Sequence, residues 1–323
     1  MAARRPPMAT EAGPVLITGA GGFVGGALVR ALAGTRTIIA TDRIALDLGD
    51  LPGVTCVIGE IDDPAVVERI TAEPLAALVH LATVAGGAAE LDPARAAHIN
   101  VAAAMALMDA SAAHRNCPRL LFASSIAVFG DPLPAYVDDA TPVSPMMRYG
   151  AHKAMLEEWV STLTRRGAIR GLSLRLPGIV ARPLAPSGMK SAFLSNLFHA
   201  IKAGERITLP VSASATSWLL SRRALINQFI VALELDNDPD SGRLNLPALR
   251  VQIGDLVTEV ARQSGRDVTL VEHAPDAALE AKFGTQPPLT TAAAHNLGLR
   301  HDGDLAALVT HALADIDPRK DII

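Results

Sequence analysis

Val15-Leu16-Ile17-Thr18-Gly19-Ala20-Gly21-Gly22-Phe23-Val24-Gly25 decides the fold of this 323-residue chain. A short apolar run is halted by a glycine turn, and the residues after it, Gly22 to Ala33, take helical spacing. Gly19, Gly22 and Gly25 stand at the G-x-x-G-x-x-G interval. At this glycine content the interval arises by chance about 0.15 times in such a chain, so its position between the first strand and the first helix carries more than the pattern itself. There, Gly19 permits a tight turn, Gly22 lets backbone approach a pyrophosphate, and Gly25 lets helix and strand pack closely. The helix N-terminus adds unpaired N–H groups and the positive end of a dipole. The plainer reading is a strand-to-helix turn with no ligand.

Outward from that turn, apolar runs recur at Thr37 to Ala40, Val54 to Ile58, Ala77 to Leu81, Leu120 to Phe122 and Leu172 to Leu176. They read as strands buried on both faces. Between them, Pro64 to Thr71, Ala94 to His114 and Tyr149 to Arg165 follow helical spacing, and the alternation predicts an α/β fold with a doubly wound parallel sheet. Asp131 to Pro145, with four prolines, is expected to loop over the strand ends. After Arg175 the pattern loosens. Helices are expected at Ser191 to Ala203, Ser221 to Leu235, Gly254 to Gln263, Ala274 to Ala281 and Gly303 to Ala314. The organisation expected is a tail over 1–13, a nucleotide-binding domain over 14–176, and a smaller C-terminal α/β lobe over 177–323 that packs on it and binds substrate.

Composition narrows the function. A net charge of -4 and 3% aromatic residues lack what a phosphate backbone or stacked bases demand, so no nucleic-acid partner is expected. No apolar stretch is long enough to span a bilayer and no secretory leader opens the chain, which predicts a cytoplasmic protein without a membrane partner. Cys56 and Cys117 form no CxxC and are expected to be buried fillers. The nine histidines show no metal spacing, so no metal is expected, and His152 is expected on the helix surface.

Three further features carry chemistry. Asp42 closes the second strand about 20 residues past the glycines, where a carboxylate accepts both ribose hydroxyls and repels a 2'-phosphate. That favours NAD over NADP, while the guanidinium of Arg43 beside it argues the other way. Tyr149 and Lys153, four residues apart, share one helical face. With only two tyrosines in the chain, such a pair arises by chance about 0.03 times. A nearby ammonium draws the phenol toward the range of a base, and Ser125, at the end of the fifth strand, orients a reacting oxygen.

Thr18 to Gly25, Asp42, His80-Leu81-Ala82, Asn100, Ser125 and Tyr149 to Lys153 together resemble the extended short-chain dehydrogenase/reductase family, of the NAD-dependent epimerase/dehydratase type, over nearly the whole chain. The resemblance implies a Rossmann-type fold and NAD as cofactor. It implies that Gly19, Gly22, Phe23 and Val24 line the pyrophosphate, Asp42 the ribose, and Glu60 and Ile61 the adenine. Leu81 and Ala82 would flank the dinucleotide, Asn100 support the fifth-strand region, Tyr149 and Lys153 hold the nicotinamide ribose, and Pro177, Ile179 and Val180 touch the carboxamide. It also implies a homodimer, since the family pairs the helices that here carry Met105, Met108, Met155 and Trp159.

Phe122 to Gly130, Tyr149 to Glu157, Arg175 to Pro183, and Leu209 to Ser212 with Trp218 are similar to D-erythronate dehydrogenases, which oxidise a hydroxyl of a four-carbon sugar acid. Those enzymes carry Lys-Pro-Asn where this chain has Ala185-Pro186-Ser187, and Arg-His-Trp-His where it has Thr216-Ser217-Trp218-Leu219. Ser125, Arg182, Lys190, Trp218 and Arg222 are the substrate residues expected here. The expected activity is oxidation of a small-molecule sugar acid or polyol with Ser125, Tyr149 and Lys153 as catalytic residues. A sugar-nucleotide epimerase with tightly held NAD uses the same three residues and is the alternative. A non-catalytic dinucleotide sensor is the third reading, and the intact tyrosine and lysine speak against it.

Overall fold

Every second residue of the first strand faces the same layer, and this period of two organises the molecule. The structure, a computed structural model, describes residues 13–184, 190–239 and 241–316, the side chain of Lys190 excepted. Its strands are β1 Val15–Thr18, β2 Ile38–Asp42, β3 Val54–Ile58, β4 Ala77–His80, β5 Arg119–Ser125, β6 Arg170–Leu176, β7 Gly178–Val180, β8 Ile207–Leu209, β9 Thr216–Ser221, β10 Arg243–Asn245, β11 Leu249–Gln252 and β12 Val271–His273. The helices are α1 Gly25–Leu32, α2 Pro64–Ile70, α3 Gly86–Leu91, α4 Pro93–Ala97, α5 Ala104–Ala112, α6 Arg148–Arg165, α7 Phe193–Ala203, α8 Arg222–Leu233, α9 Ile253–Ser264, α10 Ala277–Phe283, α11 Ala292–Asn296 and α12 Leu305–Asp315.

Seven strands form one parallel sheet in the order β10-β6-β5-β4-β1-β2-β3. The chain moves from β1 outward through β2 and β3, then crosses to β4 on the other side, so the order reverses between β1 and β4. Val15 and Ile17 join Leu28 and Val29 of α1 and Leu225 and Phe229 of α8 on one face. Leu16, Leu78, Leu120 and Phe122 join Met108 of α5 and Leu156 and Val160 of α6 on the other. Two small sheets complete the second half: β9 lies between antiparallel β11 and parallel β7, and β12 pairs with β8. There Leu197, Phe198, Leu219, Leu256, Val260 and Leu308 make a separate core.

Both β10 and α8 come from beyond residue 177 yet complete the layers of the main sheet. Three expectations need correction. Only Val57 of β3 is buried, because β3 closes the sheet and its outer residues meet water. Cys56, on that edge strand, is therefore exposed, and Cys117 is half-buried. The single helix expected over Ala94 to His114 is three pieces: α4, a π-helical stretch at His98–Ala103, and α5. Asp63 and Asp92, each followed by proline, cap α2 and α4 with their carboxylates, satisfying N–H groups that the helix start leaves unpaired. Residues 1–12 and 185–189, which hold most of the expected tail and part of the expected substrate stretch, lie outside the described residues.

Candidate active site

The strand order reverses between β1 and β4, and the carboxyl ends of these strands open the crevice in which parallel α/β sheets take ligands. On its floor, Gly19 sits at φ of 70°, and a methyl group there would lie 2.9 Å from the amide nitrogen of Ala82. One on Gly25 would lie 2.1 Å from the Gly19 carbonyl oxygen. Only glycine lets this turn lie flat between β1 and the exit of β4, with α1 starting at its rim. Asp42 ends β2 beside it, with Oδ2 accepting from the Gly21 amide at 3.0 Å. Its carboxylate thus stands next to the turn, as a ribose reader must, while Arg43 is exposed.

Thr18 joins β1 to the start of the loop after β4. Its hydroxyl oxygen accepts from the amides of Leu81 and Ala82, each at 3.2 Å, which leaves its proton for His80 Nδ1 at 2.9 Å. His80 is therefore the neutral tautomer with its proton on Nε2. Burial, reinforced by the Lys153 charge, pushes its pKa down to about 3.

Asn100 holds the next residues of the same loop. Its Oδ1 accepts from Val84 N at 2.7 Å and Thr83 Oγ1 at 3.1 Å, and its Nδ2 donates to Val84 O at 2.9 Å. Asn100 thus supports the loop after the fourth strand, not the fifth-strand region, because the π-helical stretch aims it there. Its Nδ2 also lies 3.5 Å from His152 Nδ1. His152 is buried, contrary to the surface position expected, since its side of α6 faces the π-helical stretch. Ile61 is buried with Ile99 and Ala103, and Glu60 pairs with Arg95 at 3.2 Å on the solvent side.

Ser125, Tyr149 and Lys153 converge at the end of β5. Gly150 allows it: a methyl there would lie 2.0 Å from the Ala127 carbonyl oxygen, so α6 reaches the β5 exit only with glycine after the tyrosine. Ser125 Oγ accepts from Ala127 N at 3.1 Å, and its hydroxyl acts on the Tyr149 phenol to lower its pKa. Lys153 Nζ donates to Ala123 O at 2.7 Å and sits 5.4 Å from the centroid of the tyrosine ring.

Burial brings the Lys153 ammonium down to about 7, with Glu157 opposing. For Tyr149, burial raises the pKa, against the charge of Arg182 and the Ser125 hydroxyl. The lowering expected from Lys153 is therefore not what this pocket gives. Desolvation of the phenolate dominates, and the cation that offsets it is Arg182.

Arg182 follows β7. Its amide donates to Ser195 Oγ at 3.1 Å, its carbonyl accepts from His199 Nε2 at 2.7 Å, and its Nε donates to Ile179 O at 3.3 Å. Pro177, Ile179 and Val180 lie between it and β6, with Ile179 and Val180 buried in β7. Trp218 is buried behind the turn that follows Ser125, with Val128, Phe129 and Val137, and its indole N–H donates to Pro287 O at 2.7 Å. Arg222 lies over the Phe23 ring, 4.6 Å from its centroid, and pairs with Asp315 at 2.7 Å. The Lys190 side chain lies outside the described residues.

Behind Lys153, Glu157 accepts from Ser124 Oγ at 2.6 Å and from Arg175 at 2.9 and 2.8 Å, all of it buried. This network was not anticipated, although Lys153 and Glu157 at a spacing of four on one helix were a visible signal.

A twisted parallel sheet, a glycine cradle at its reversal point and a Ser/Tyr/Lys cluster at its edge define a dinucleotide-dependent enzyme. The chain belongs to the NAD dependent epimerase/dehydratase family, whose model matches residues 15–243. It is similar to the D-erythronate dehydrogenase of Cupriavidus necator, 33% identical over 317 residues that cover 93% of this chain and 98% of the relative. The D-erythronate dehydrogenase of Haemophilus influenzae is 30% identical over 267 residues, 80% of this chain and 84% of that one. In structure the chain is similar to the nucleoside-diphosphate-sugar epimerase from Agrobacterium tumefaciens, with a TM-score of 0.86 and 26% identity over 98% of both chains. It also shares the fold of L-threonine dehydrogenase from Phytophthora infestans, at a TM-score of 0.83 and 21% identity over 95% of this chain and 99% of that one. The chain is an NAD-dependent dehydrogenase with a Rossmann-type fold. No helix among the described residues is long and apolar enough to cross a membrane.

Proposed function

We propose that this chain oxidises a hydroxyl of a small sugar acid of the D-erythronate kind. Bound NAD supplies the hydride acceptor. Tyr149 takes the hydroxyl proton, Ser125 hydrogen-bonds the same oxygen, and Lys153, hung on the Ala123 carbonyl, presents a positive charge beside the phenol. The glycine turn, Asp42, Leu81 and Ala82 would hold the dinucleotide, and the segment from Pro177 to Val180 would flank its reacting end. The second core, built on α7, β9, α9 and α12, would serve as the substrate lobe.

The observation that carries the reading is Arg182, which leaves the end of β7 beside the segment expected to flank the cofactor and adds a second cation, besides Lys153, that acts on the buried Tyr149 phenol. A guanidinium there suits a substrate carboxylate near the reacting carbon, and it supports a sugar acid over a neutral polyol. Purified protein incubated with NAD and a panel of four-carbon sugar acids and matched neutral polyols should form reduced nicotinamide with the acids. Turnover of the polyols alone would refute the reading.

A sugar-nucleotide epimerase is the second reading, favoured by the likeness to the Agrobacterium protein. It would show as NAD retained through purification with no net reduction by any sugar acid. The exposed Met155 on α6 supports a homodimer formed through α5 and α6, and the two free cysteines suit a reducing cytoplasm.

A further inference from the structure

We propose that Arg222, which pairs with Asp315 of helix α12, is a ligand for the cofactor's pyrophosphate. The inference rests on the glycine turn as the NAD site and is independent of the substrate. Arg222 is the first residue of α8, immediately after β9, and the last residue of β9, Ser221, is in register with Val180 of β7. It therefore emerges at the end of the small sheet from which Arg182 also leaves. Its guanidinium carbon stands 4.6 Å from the centroid of Phe23, the residue that follows Gly22 in the cradle. A fork of N–H donors is thus stacked on a ring whose own backbone forms the phosphate-binding turn.

One arm of that fork is occupied: Nη2 donates to Asp315 Oδ1 at 2.7 Å. Both partners are only partly exposed, 28% for the Arg222 side chain and 13% for that of Asp315. In such a setting a single carboxylate is replaced readily by a doubly anionic pyrophosphate, which offers the geometry a guanidinium fork matches with two hydrogen bonds. Arg222 would then keep its stack on Phe23 and turn its donors from α12 toward the phosphates. The position expected from sequence, among substrate residues, is met less well, since Phe23 belongs to the cofactor turn.

The test is a calorimetric titration of the purified protein and its Arg222→Met, Arg222→Lys and Asp315→Asn variants with NAD, ADP and adenosine. Loss of one charge-assisted contact predicts that Arg222→Met binds NAD and ADP about tenfold more weakly, with adenosine unchanged. Arg222→Lys should fall between, and Asp315→Asn should bind NAD more tightly than the parent. An ADP affinity within about twofold of the parent in Arg222→Met overturns the proposal. So does an equal loss for adenosine, which would mark Arg222 as a strap that only shapes the turn. Should Arg222→Met not fold, an unchanged ADP affinity in Arg222→Lys overturns it equally. Failure of the parent itself to bind NAD would instead refute the cofactor site.

Discussion

Glu157 and Arg175 form a two-point ion pair, Nε to Oε1 at 2.9 Å and Nη2 to Oε2 at 2.8 Å, with both side chains sealed from solvent. The Ser124 hydroxyl donates to the same carboxylate at 2.6 Å, and the Arg175 guanidinium lies 5.1 Å from the centroid of Phe129. The pair therefore ties α6, which carries Tyr149 and Lys153, to the ends of β5 and β6. Glu157→Gln keeps the shape and removes the charge, leaving the buried Arg175 without its bidentate partner and with only the charge of Asp139 to offset it. Breaking such a pair from one side costs about 3–5 kcal/mol, whereas replacing both partners with apolar residues is often near neutral. Urea denaturation should show that loss for Glu157→Gln and most of it recovered in the Glu157→Met, Arg175→Met double variant. A loss below about 1 kcal/mol in the single variant would mean that the pair contributes little.

Gly150 sets the distance between the tyrosine and the serine. An alanine there places a methyl 2.0 Å from the backbone oxygen of Ala127, so α6 must move back from the β5 exit. Displacements of this size cost about 100-fold in rate when they separate reacting groups. Gly150→Ala should therefore lower kcat/KM by about that factor, while NAD affinity, carried mainly by the glycine turn and Asp42, falls much less. Fluorescence titration with NAD beside steady-state kinetics separates the two, and an unimpaired kcat/KM would disprove the positioning role.

Asp42 should decide the cofactor. Its carboxylate is fixed by the Gly21 amide at 3.0 Å and the Ile44 amide at 3.3 Å, so it stands at the end of β2 as a rigid negative charge. Asp42→Ser removes the repulsion of a 2'-phosphate and leaves the exposed guanidinium of Arg43 next to it. The ratio of NAD to NADP affinity should fall by about tenfold or more. An unaltered ratio would show that Asp42 only braces the turn.

How far the sequence could be read followed from how local each signal was. The glycine turn and the Tyr149 to Lys153 pair are short-range patterns whose geometry one turn and one helix fix, and they fall where expected. The strand β10, three residues long, gave no pattern of its own; it is a strand only because β6 offers an open edge. The helix α3 opens on Gly86-Gly87, which reads as a breaker, yet it packs against α4 and α6. His152 looked like a surface residue because nothing in a helix one side chain wide reveals that Asn100, 52 positions away, covers it. The direction of the Tyr149 shift was missed for a related reason: spacing shows a nearby charge, and only the fold shows burial.

His80 should govern stability in acid. Its ring is wholly buried, accepts the Thr18 proton at Nδ1 and stacks on Phe122 with centroids 6.1 Å apart. Burial holds its pKa at about 3 in the folded protein, against 6.5 for an exposed histidine. As pH falls below the ordinary value, the unfolded chain takes up a proton that the folded chain refuses until about pH 3. The contribution of His80 is thus complete above the ordinary histidine range and drains away as pH falls toward 3. Between about pH 7 and pH 4 this amounts to roughly 3 kcal/mol. His80→Asn keeps an acceptor for the Thr18 hydroxyl but cannot take a proton. Urea denaturation across that range should show a clearly shallower acid limb for the variant, even if its stability at neutral pH is lower. Parallel acid limbs for the two proteins would place the acid sensitivity elsewhere, among the carboxylates.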